Sequence, residues 1–565
     1  MFSGFFWPLI LRTVAGAQTV YGLVLAADVG NLALVAGTLT GLTAMAVFVA
    51  AAWGLSKPSI VAAWRAKVAH GAGGSVDGER GMRSDRLDVL GVEQVYVDAD
   101  PVPLETFGAA GRAERIAGGT VMVVGGGVSG LGAAWALEQD GWQVTLIEAE
   151  AELGGHTTTL RGEDLGLPAD PVTGAVPTVD PGFQICNPLH YPGLLAWFRK
   201  LGKYVALRPT ENSLSVSSHV DGYGWASCAS WLGLVKCLAL RGRKFAAMMR
   251  DMVRFHAEAE GYLTALPDMT LREFVAREGY SDAFAADYLM PCVASLWSCS
   301  AEGAWACSIH FIIRFFRNHH MLNIFSRPVW HTLIGGSSTY VDAFKASFRG
   351  TIVTSAPAAR LVHAPNGGEA WRVTTADGRS FDASAVVLAT HSSTTLRLLQ
   401  ASSAAVTSGL GTRRASALLA TLNELPYYSS KVYVHTDASL MPAARELWAS
   451  WNSVVLSTGE SICTYYVNKL QAPDYTGTDI FVTVVPEGTS AAALPSDLSL
   501  LRKLPFDWEH PSMSVGAVAA RCCDASLQHP GDGLVLAGAW LGNGFHEAGF
   551  QSGLRAAAAL GDARL

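Results

Sequence analysis

The chain has 565 residues, enough for two or three packed units. Half of the residues are apolar and only 16% are charged, a balance typical of a membrane protein or of an enzyme with a large apolar interior. The net charge of −7 argues against a nucleic-acid partner. The nine cysteines form no CxxC pair and no zinc-type spacing, which predicts reduced thiols, a reducing compartment and no metal site.

Residues 1–70 are predicted to anchor the protein in a membrane. Residues 29–56 carry no charge and are long enough to cross a bilayer core, which takes ~20 residues. Residues 2–27 are apolar apart from Arg12, so the pattern fits either a single transmembrane helix or a helical hairpin that turns near Asp28. The alternative to both is one buried helix of a globular domain.

The residues that follow this apolar region predict its orientation. Lys57, Arg65 and Lys67 come directly after it, and the positive-inside rule then keeps the catalytic part on the cytoplasmic face or an equivalent reducing face. An organelle membrane fits the same pattern. Residues 71–88 are rich in glycine and charge, and residues 71–115 are predicted to be a flexible linker.

A dinucleotide-binding pattern follows the linker. Residues 121–124 and 144–147 are predicted strands, joined by a glycine turn and a helix of small residues. The carboxylate of Glu148 lies 23 residues after Gly125, where it can accept hydrogen bonds from a ribose. The glycine pair at 154–155 favours FAD over NAD. Three glycines provide the turn, the close approach to a pyrophosphate and the packing of the helix: Gly125, Gly127 and Gly130.

The middle of the chain predicts a substrate domain. Residues 231–258 have apolar side chains at helical spacing and a basic opposite face, which suits either a solvated surface or an anionic membrane. Residues 282–318 are dense in aromatic side chains and are predicted to line an apolar pocket, although a plain core would look the same. Residues 351–353, 371–375 and 385–389 are predicted to be strands of the returning sheet, with a hairpin turn at Gly378.

The C-terminal segment completes the predicted site. Residues 534–538 are a predicted buried strand, and a helix of small residues is predicted to start at Gly553. The glycine-rich link between them contains His546 and Glu547, which are the best-placed titratable pair in the sequence and the predicted proton-transfer residues, with His319 and His391 behind them. A loop histidine and a helix-start glutamate without a catalytic role are the alternative.

Several sequence blocks in one order carry a family resemblance: VVGGGVSGL with ELGGHT, VDPGF, RPVWHTLIGGSSTYV and GAWLGNGFHEAGFQSG. The chain from Thr120 to Leu560 resembles the flavin-containing amine oxidoreductase superfamily. More narrowly, it is similar to the predicted NAD/FAD-binding proteins associated with cyclopropane-fatty-acyl-phospholipid synthases. The resemblance implies FAD as cofactor. It also implies these FAD contacts: Gly125, Gly127, Val128, Ser129, Gly130, Glu148, Ala149, Gly154, Gly155, His156, Thr157, Gly182, Phe183, Ala358, Gly538, Ala539, Gly544, Phe545 and His546.

The expected fold class is α/β (α+β). An FAD-binding Rossmann-like domain of the two-dinucleotide-fold type is interleaved with a mixed-sheet and helical substrate domain, and the transmembrane helix or hairpin precedes both. The expected cofactor segments are residues 116–200, 346–400 and 526–565. The expected substrate segments are residues 201–345 and 401–525.

The chain departs from the superfamily pattern at two positions. Ala539 stands where many amine oxidases carry an acid after the C-terminal glycine, and the lysine those enzymes use near flavin N5 has no clear counterpart, since Lys431 and Lys469 correspond in type only. The sequence therefore predicts a membrane-anchored FAD-dependent oxidoreductase that acts on an apolar substrate, a lipid acyl chain. The alternatives are a polyene or carotenoid desaturase or isomerase, a flavin amine oxidase, and a non-catalytic FAD-binding partner of a lipid-modifying methyltransferase.

Overall fold

The computed structural model describes residues 101–563 apart from 109–118, 203–204, 228–230, 324–327, 364–369, 458–459, 491–493, 497 and 523–529. The predicted membrane anchor and most of the predicted linker lie outside the described residues. Within the described ranges, no helix combines the length and the apolar character needed to cross a membrane. The division into alternating cofactor and substrate segments stays a prediction.

The strands of the described chain, in order, are β1 Thr120–Val124, β2 Gln143–Ile147, β3 Leu160–Arg161, β4 Thr178–Val179, β5 Leu207–Thr210, β6 Leu214–Ser218, β7 Gly224–Ala226, β8 Trp330–Leu333, β9 Thr351–Val353, β10 Ala358–His363, β11 Trp371–Thr375, β12 Ser380–Ala383, β13 Ala385–Leu388, β14 Tyr427–His435, β15 Trp451–Val455, β16 Ser461–Tyr466, β17 Phe481–Pro486, β18 Phe506–Pro511 and β19 Leu534–Leu536.

The helices are α1 Val128–Gln139, α2 Pro192–Leu201, α3 Trp231–Ala265, α4 Leu271–Glu278, α5 Asp282–Phe284, α6 Met290–Trp297, α7 Ala301–Trp305, α8 Ile309–Asn318, α9 Ser338–Ser347, α10 Ser392–Ala401, α11 Ser403–Leu410, α12 Thr412–Asn423, α13 Val467–Leu470, α14 Val515–Cys522 and α15 His546–Ala563. A π-helical segment, Ala285–Leu289, joins α5 to α6.

The part of the fold that is predicted to bind the cofactor is organised around a parallel sheet with the strand order β19-β13-β1-β2-β9. All four strand pairs are parallel. The strands β13 and β19 are buried along their whole length, which is typical of a parallel sheet covered on both faces. The predicted strands at residues 121–124, 144–147 and 351–353 are confirmed as members of this sheet. The strands predicted at residues 385–389 and 534–538 belong to it as well and end earlier, at Leu388 and Leu536.

Two predictions about this half were wrong. Residues 371–375 form the strand β11, but this strand belongs to a separate antiparallel sheet, β10-β11-β12. The burial of its side chains alternates, which is typical of a strand with only one covered face. The last helix begins at His546 rather than at Gly553. Gly553 lies inside α15 and allows it to pack on α1, since a methyl group at position 553 would lie 2.1 Å from the Ser129 carbonyl oxygen.

The second half is built on a seven-stranded sheet with the order β18-β14-β17-β16-β15-β6-β7. Its strand pairs are antiparallel except for β15 with β6. An aromatic core joins this sheet to helices α3 to α8; Phe284, Trp297 and Phe315 are buried in it.

The predicted helix at residues 231–258 is confirmed as α3, which continues to Ala265 across a kink at Gly242. Its apolar side is buried at Phe245, Met248 and Phe255. Its basic side meets carboxylates of the same fold: Lys244 lies 3.0 Å from Asp287 and Arg254 lies 3.1 Å from Glu258. These ion pairs favour the substrate-domain interpretation over the membrane-surface one.

Candidate active site

The first functional element is a glycine turn at the start of α1. A methyl group at position 130 would lie 1.8 Å from the Gly125 carbonyl oxygen, and one at position 125 would lie 2.6 Å from the Ala389 carbonyl oxygen. Gly127 is the N-cap of α1, no side chain caps this helix, and the space in front of Gly127 is open. The free N–H groups of Val128, Ser129 and Gly130 therefore form a site for an anion.

Glu148, at the end of β2, faces this turn. Its carboxylate accepts hydrogen bonds from the backbone N–H groups of Gly126, at 2.5 Å, and Glu150, at 2.9 Å. The backbone N–H groups of Ala356 and Ser355 donate to the carbonyl oxygens of Glu148 and Glu150, so the segment that leads to Ala358 pairs with the backbone on both sides of Ala149. The structure thus brings together the residues predicted to hold the adenosine part of a dinucleotide.

The second glycine pair contacts the first turn. The Gly154 N–H donates to the Gly126 carbonyl oxygen, and a methyl group at position 155 would lie 3.3 Å from the Gly127 Cα atom. Gly125, Gly127, Gly130, Gly154 and Gly155 are called the glycine cradle below. His156 and Thr157 follow it directly.

The Asp180 side chain anchors the turn at Gly182 and Phe183 by hydrogen bonds to two neighbouring segments. The buried Asp180 carboxylate accepts hydrogen bonds from the Ser337 N–H at 2.9 Å, the Ser337 hydroxyl at 2.9 Å and the Thr159 hydroxyl at 2.5 Å. Burial raises the pKa of Asp180 to about 6, and the hydrogen bonds from Thr159 and Ser337 partly oppose this increase. A methyl group at position 182 would lie 2.1 Å from the His156 carbonyl oxygen, so the turn packs on the backbone that directly follows the glycine cradle.

The C-terminal segment brings His546 to the same place. After β19 the chain passes Gly538 and a 3-10 turn at Ala539–Leu541, and Gly544 and Phe545 lead into α15. The His546 ring stacks on Phe183 with centroids 3.8 Å apart, and its Nε2 lies 2.9 Å from the Thr157 hydroxyl, which is 2.6 Å from the Tyr340 hydroxyl. Burial lowers the pKa of His546 to about 3, so the ring is neutral at physiological pH.

Glu547, the other predicted proton-transfer residue, does not line the cavity that His546 lines. Its oxygens accept hydrogen bonds from the backbone N–H groups of Gly193, at 3.0 Å, and Leu194, at 2.8 Å, in the first turn of α2, and from the Gln551 amide. Such a carboxylate satisfies the free donors of a helix start. These hydrogen bonds join α15 to α2, and the role of Glu547 in proton transfer stays a prediction.

A cavity of about 730 Å³ begins at Gly182, Phe183, Gly544, Phe545 and His546. It runs between the seven-stranded sheet and helices α3, α6 and α8. Its far wall is apolar or aromatic: Leu214, Trp225, Phe245, Met249, Met252 and Tyr288. Among the described residues that line it, none is Asp, Glu, Lys or Arg. The segment at residues 282–318, predicted to line an apolar pocket, supplies Tyr288, Trp297 and Phe315 to this wall.

The two further histidines singled out from the sequence lie in different surroundings. His319 lines the cavity, stacks on Phe315 at 3.8 Å and directs its Nδ1 to the Phe315 carbonyl oxygen at 3.0 Å; burial lowers its pKa to about 3. His391 is 40% exposed, and its Nδ1 lies 3.1 Å from the Glu509 carboxylate.

Lysines 431 and 469 do not line the cavity. Lys431 pairs with Asp507 at 2.6 Å, and Lys469 donates to the Trp448 carbonyl oxygen at 2.8 Å.

Sequence reasoning missed Asp180, Trp508 and His510. A methyl group at position 182 would lie 3.1 Å from the Trp508 ring, and Trp508 and His510 line the cavity. These two residues come from β18, which pairs with β14 about 80 residues earlier in the chain. Asp180 is the acid of the VDPGF block. Its position directly before a glycine turn could have predicted that its carboxylate stabilises this turn by hydrogen bonds.

The comparisons with known proteins agree with this geometry. A family model described as flavin containing amine oxidoreductase matches residues 128–561. The chain belongs to the flavin-containing amine oxidoreductase family. It is therefore an FAD-dependent, amine oxidase-like oxidoreductase, and the predicted cofactor FAD is confirmed.

Solved structures with this fold include three flavoenzymes of different substrates. Cyclohexylamine oxidase from Brevibacterium oxydans IH-35A is 16% identical, with a TM-score of 0.56 over 79% of this chain and 99% of that one. Wild-type putrescine oxidase bound to putrescine is 16% identical, with a TM-score of 0.52 over 79% and 98%. The CLA-producing fatty acid isomerase from P. acnes is 13% identical, with a TM-score of 0.51 over 78% and 97%. At these identities the likeness shows the fold.

The residues present fit FAD. The open space before Gly127 and the uncapped start of α1 suit its pyrophosphate, and Glu148 suits its ribose. Phe183 and His546 would lie beside its ring system, where bound flavin supplies hydride transfer. The chain's own contribution is to orient the cofactor, to exclude water with an apolar wall and to keep His319 and His546 neutral.

Proposed function

We propose that the protein is a membrane-anchored FAD-dependent oxidoreductase that acts on an apolar substrate, a lipid acyl chain, by hydride transfer with the flavin. The observation that carries this proposal is the wall of the cavity. It continues from Phe183 and Phe545 through Phe315 and Trp297 to Met252, and its lining is aromatic, aliphatic or neutral polar. An extended hydrocarbon suits such a wall because burying apolar surface is favourable, at roughly 25 cal/mol per Å².

A protonated amine suits this cavity less well than a hydrocarbon. A buried cation requires a carboxylate or another compensating group. None of the described residues that line the cavity is an acid, and Glu547, the carboxylate closest in sequence to His546, faces α2 instead. Amine oxidation thus becomes an outcome to be tested beside the lipid proposal.

A second candidate function is isomerisation of a double bond in such a chain or in a polyene. The fold likeness to the CLA-producing fatty acid isomerase from P. acnes favours it. Both candidates use hydride exchange with the same flavin. Oxidation of the substrate leaves the flavin reduced until an electron acceptor reoxidises it, whereas isomerisation returns the hydride to the same substrate molecule. A net change in flavin oxidation state therefore separates them.

The membrane part of the proposal rests on residues 1–70 and on the cavity rim. Val329, which lines the cavity, is 61% exposed, so an apolar side chain stands at the opening. A lipid drawn from a bilayer would meet this apolar rim first. On the family resemblance alone, a lipid-modifying methyltransferase is the expected partner.

The test uses the full-length protein purified with its flavin. Under anaerobic conditions, the flavin absorbance is followed after addition of saturated or unsaturated phospholipids in detergent, and separately after a panel of amines. Copurifying lipids are identified by mass spectrometry. We expect acyl lipids to change the flavin spectrum or to be isomerised, and we expect the amines to have no effect. Flavin reduction by amines alone would overturn the proposal.

One matched pair of variants tests the cavity wall. Met252 lines the cavity and its neighbour Val253 does not. Met252→Asp places a charge in the wall and is expected to lower turnover of the acyl substrate at least about 100-fold while FAD stays bound, because a buried unpaired carboxylate is costly. Val253→Asp is the control with the same added charge on the same helix. Equal turnover by the two variants would exclude this part of the cavity as the substrate site.

A further inference from the structure

An indole N–H group in the wall of the cavity lacks a hydrogen-bond acceptor. It belongs to Trp451 on β15, whose ring lines the cavity and packs edge-on against Tyr465 with centroids 4.8 Å apart. Its Nε1 atom is buried and has no hydrogen-bond partner in the part of the chain that the structure describes. A buried indole N–H normally finds an acceptor, because a buried donor without one has lost its hydrogen bonds to water.

Two other tryptophans of the same wall follow this rule. The Trp225 Nε1 donates to the Asp287 carbonyl oxygen at 2.8 Å, and the Trp297 Nε1 donates to the Asn543 carbonyl oxygen at 3.1 Å. Both acceptors belong to the protein. Trp451 differs from them, and an acceptor on a bound ligand would satisfy its N–H group.

Trp451 lies close to solvent. Its backbone N–H donates to the Ser213 carbonyl oxygen at 2.9 Å. Asn212, which precedes Ser213, lines the cavity and is exposed. Ser227 also lines the cavity and is exposed, and its hydroxyl accepts a hydrogen bond from the Leu214 N–H at 2.9 Å. Trp451 is therefore next to a solvent-accessible edge of the cavity.

From Trp451 the cavity continues across the seven-stranded sheet to the predicted flavin end. The strands β15, β16, β17, β14 and β18 are successive neighbours, and each contributes a lining side chain: Trp451, Tyr465, Val484, Val432 and Trp508. Four inter-strand spacings separate β15 from β18, a distance of about 19 Å. A long hydrocarbon chain whose polar end is at Trp451 fits this direction.

Two other polar side chains of the wall lie further from the solvent-accessible edge. The Gln184 Oε1 is buried without a hydrogen-bond partner among the described residues, but Gln184 directly follows Phe183 at the predicted flavin end, and this oxygen is itself an acceptor. Ser295 has the Cys463 thiol of β16 beside it, one strand further from that edge. Trp451 thus offers the N–H donor that stands near solvent.

The missing acceptor is best supplied by a neutral oxygen. Among the described residues that line the cavity, none is Lys or Arg, so a charged carboxylate at Trp451 would lack a counter-ion. An ester carbonyl is neutral and accepts the hydrogen bond of an indole, which can only donate. A hydrocarbon polyene has no acceptor at all.

We propose that the Trp451 N–H binds the ester carbonyl oxygen of an acyl lipid at the solvent-accessible edge of the cavity. Trp451 thereby selects acyl esters over hydrocarbons of similar length. The inference rests on the proposed function, because it concerns the same cavity and the same lipid. In this role Trp451 is a specificity-determining residue and takes no part in hydride transfer.

The experiment compares a diacyl phospholipid with its dialkyl ether analogue, which has the same head group and chain length but no carbonyl oxygen. Each lipid, in detergent, displaces a fluorescent phospholipid from the full-length protein purified with its flavin, which gives a dissociation constant. We expect the wild type to bind the ester lipid about tenfold more tightly than the ether lipid, because one hydrogen bond distinguishes them. A long-chain methyl ester is expected to bind more tightly than the free fatty acid.

Two variants make the test specific. Trp451→Phe keeps an aromatic ring against Tyr465 and removes the N–H group, so it is expected to bind ester and ether lipids equally, with the affinity for the ether lipid unchanged. Trp225→Phe removes an N–H group that already has its acceptor, and it is expected to keep the wild-type preference for the ester. Thermal unfolding and flavin content show whether each variant is folded.

The outcomes separate this inference from the proposed function. Equal binding of ester and ether lipids by the wild type, or an unchanged preference in Trp451→Phe, would overturn the role of Trp451 and leave the lipid proposal in place. Tighter binding of the free fatty acid than of its methyl ester would also overturn it, since the head group would then be charged. Binding of neither phospholipid would overturn the proposed function and this inference together.

Discussion

The glycine cradle and the substrate cavity are built in different ways. The cradle is made of backbone atoms within residues 120–155, and its shape depends on places where no Cβ atom fits. The cavity is made of side chains that come from many elements between His156 and His546. The difference teaches that a phosphate site leaves a local trace in a sequence, because sterics restrict the residue type, whereas an apolar wall accepts many residue types at positions far apart.

The largest effect on stability and on FAD retention is expected from a substitution at Gly130, within the cradle. A methyl group at this position would lie 1.8 Å from the Gly125 carbonyl oxygen, and the backbone on both sides is held by the parallel sheet and α1. Gly130→Ala is expected to destabilise the protein by about 3 kcal/mol or more and to abolish FAD retention, since overpacking against backbone cannot relax by a rotamer change. Thermal unfolding and the flavin content of the purified variant measure both losses.

Gly127→Ala is the matched control for this prediction. Its φ of −73° suits any residue, and no atom lies within 4 Å of the added methyl group. The fold should be unchanged while FAD affinity falls about tenfold or more, because the methyl group enters the space that a phosphate needs. Unaltered FAD affinity in Gly127→Ala would place the pyrophosphate elsewhere.

Much of the cradle was predictable from the sequence, because positions such as 130 have no room for a Cβ atom and must therefore be glycine. The strand, turn, helix and Glu148 recur at fixed spacing, and each spacing follows from backbone geometry. The pairing of β18 with β14 was not predictable, because the Trp508–His510 segment carries no local sign of the partner strand. The same limit hid the meeting of the His156, His391 and His510 rings, which come from three separate segments of the chain.

One wrong prediction and one untested assignment show the limits of local patterns. The glycines of α15 suggested a loop up to residue 549, yet Gly549 and Gly553 are in a helix, where they admit Val128 and Ser129 of α1. Glu547 appeared next to a histidine and was assigned a chemical role. The direction of its side chain depends on α2, about 350 residues earlier, which the local sequence does not specify.

A smaller effect on stability is expected at Asp180, which stabilises the turn at Gly182 and Phe183 between the glycine cradle and the cavity. Burial raises its pKa from 3.8 to about 6, which corresponds to about 3 kcal/mol. For an acid whose pKa is higher in the folded state, stability is greatest below the unfolded pKa and declines as the pH rises to the folded value. The wild type is therefore expected to lose stability between pH 4 and pH 6 relative to Asp180→Asn.

Chemical denaturation of both proteins at each pH measures this difference, and the other titrating groups cancel in the comparison. Asp377→Asn is a suitable control, because this exposed acid has its pKa lowered by its hydrogen bonds to Arg379 and Thr375. A parallel pH profile for wild type and Asp180→Asn would mean that the Asp180 carboxyl is not buried as described.

A still smaller effect is expected at Glu547. Glu547→Gln keeps one acceptor for the start of α2 but removes the charge, and should cost about 1–2 kcal/mol of stability. The dependence of the rate on pH should be that of the wild type, since the carboxylate does not line the cavity. Loss of one ionisation from the rate profile of this variant would restore its predicted role in proton transfer.

The smallest effect, at Trp297, tests whether the two regions act on each other. The indole N–H of this buried residue donates to the Asn543 carbonyl oxygen at 3.1 Å, and thereby ties the cavity helix α6 to the loop that leads to Phe545 and His546. Trp297→Phe keeps an aromatic ring against Phe315 and removes this one hydrogen bond, at a cost of about 1 kcal/mol. Because the loop lies at the predicted flavin site, the variant should retain FAD roughly fivefold less tightly. Trp305→Phe, on the neighbouring helix α7, should bind FAD as the wild type does. If Trp297→Phe altered substrate turnover alone and left FAD affinity unchanged, the cradle and the cavity would be energetically independent despite sharing this loop.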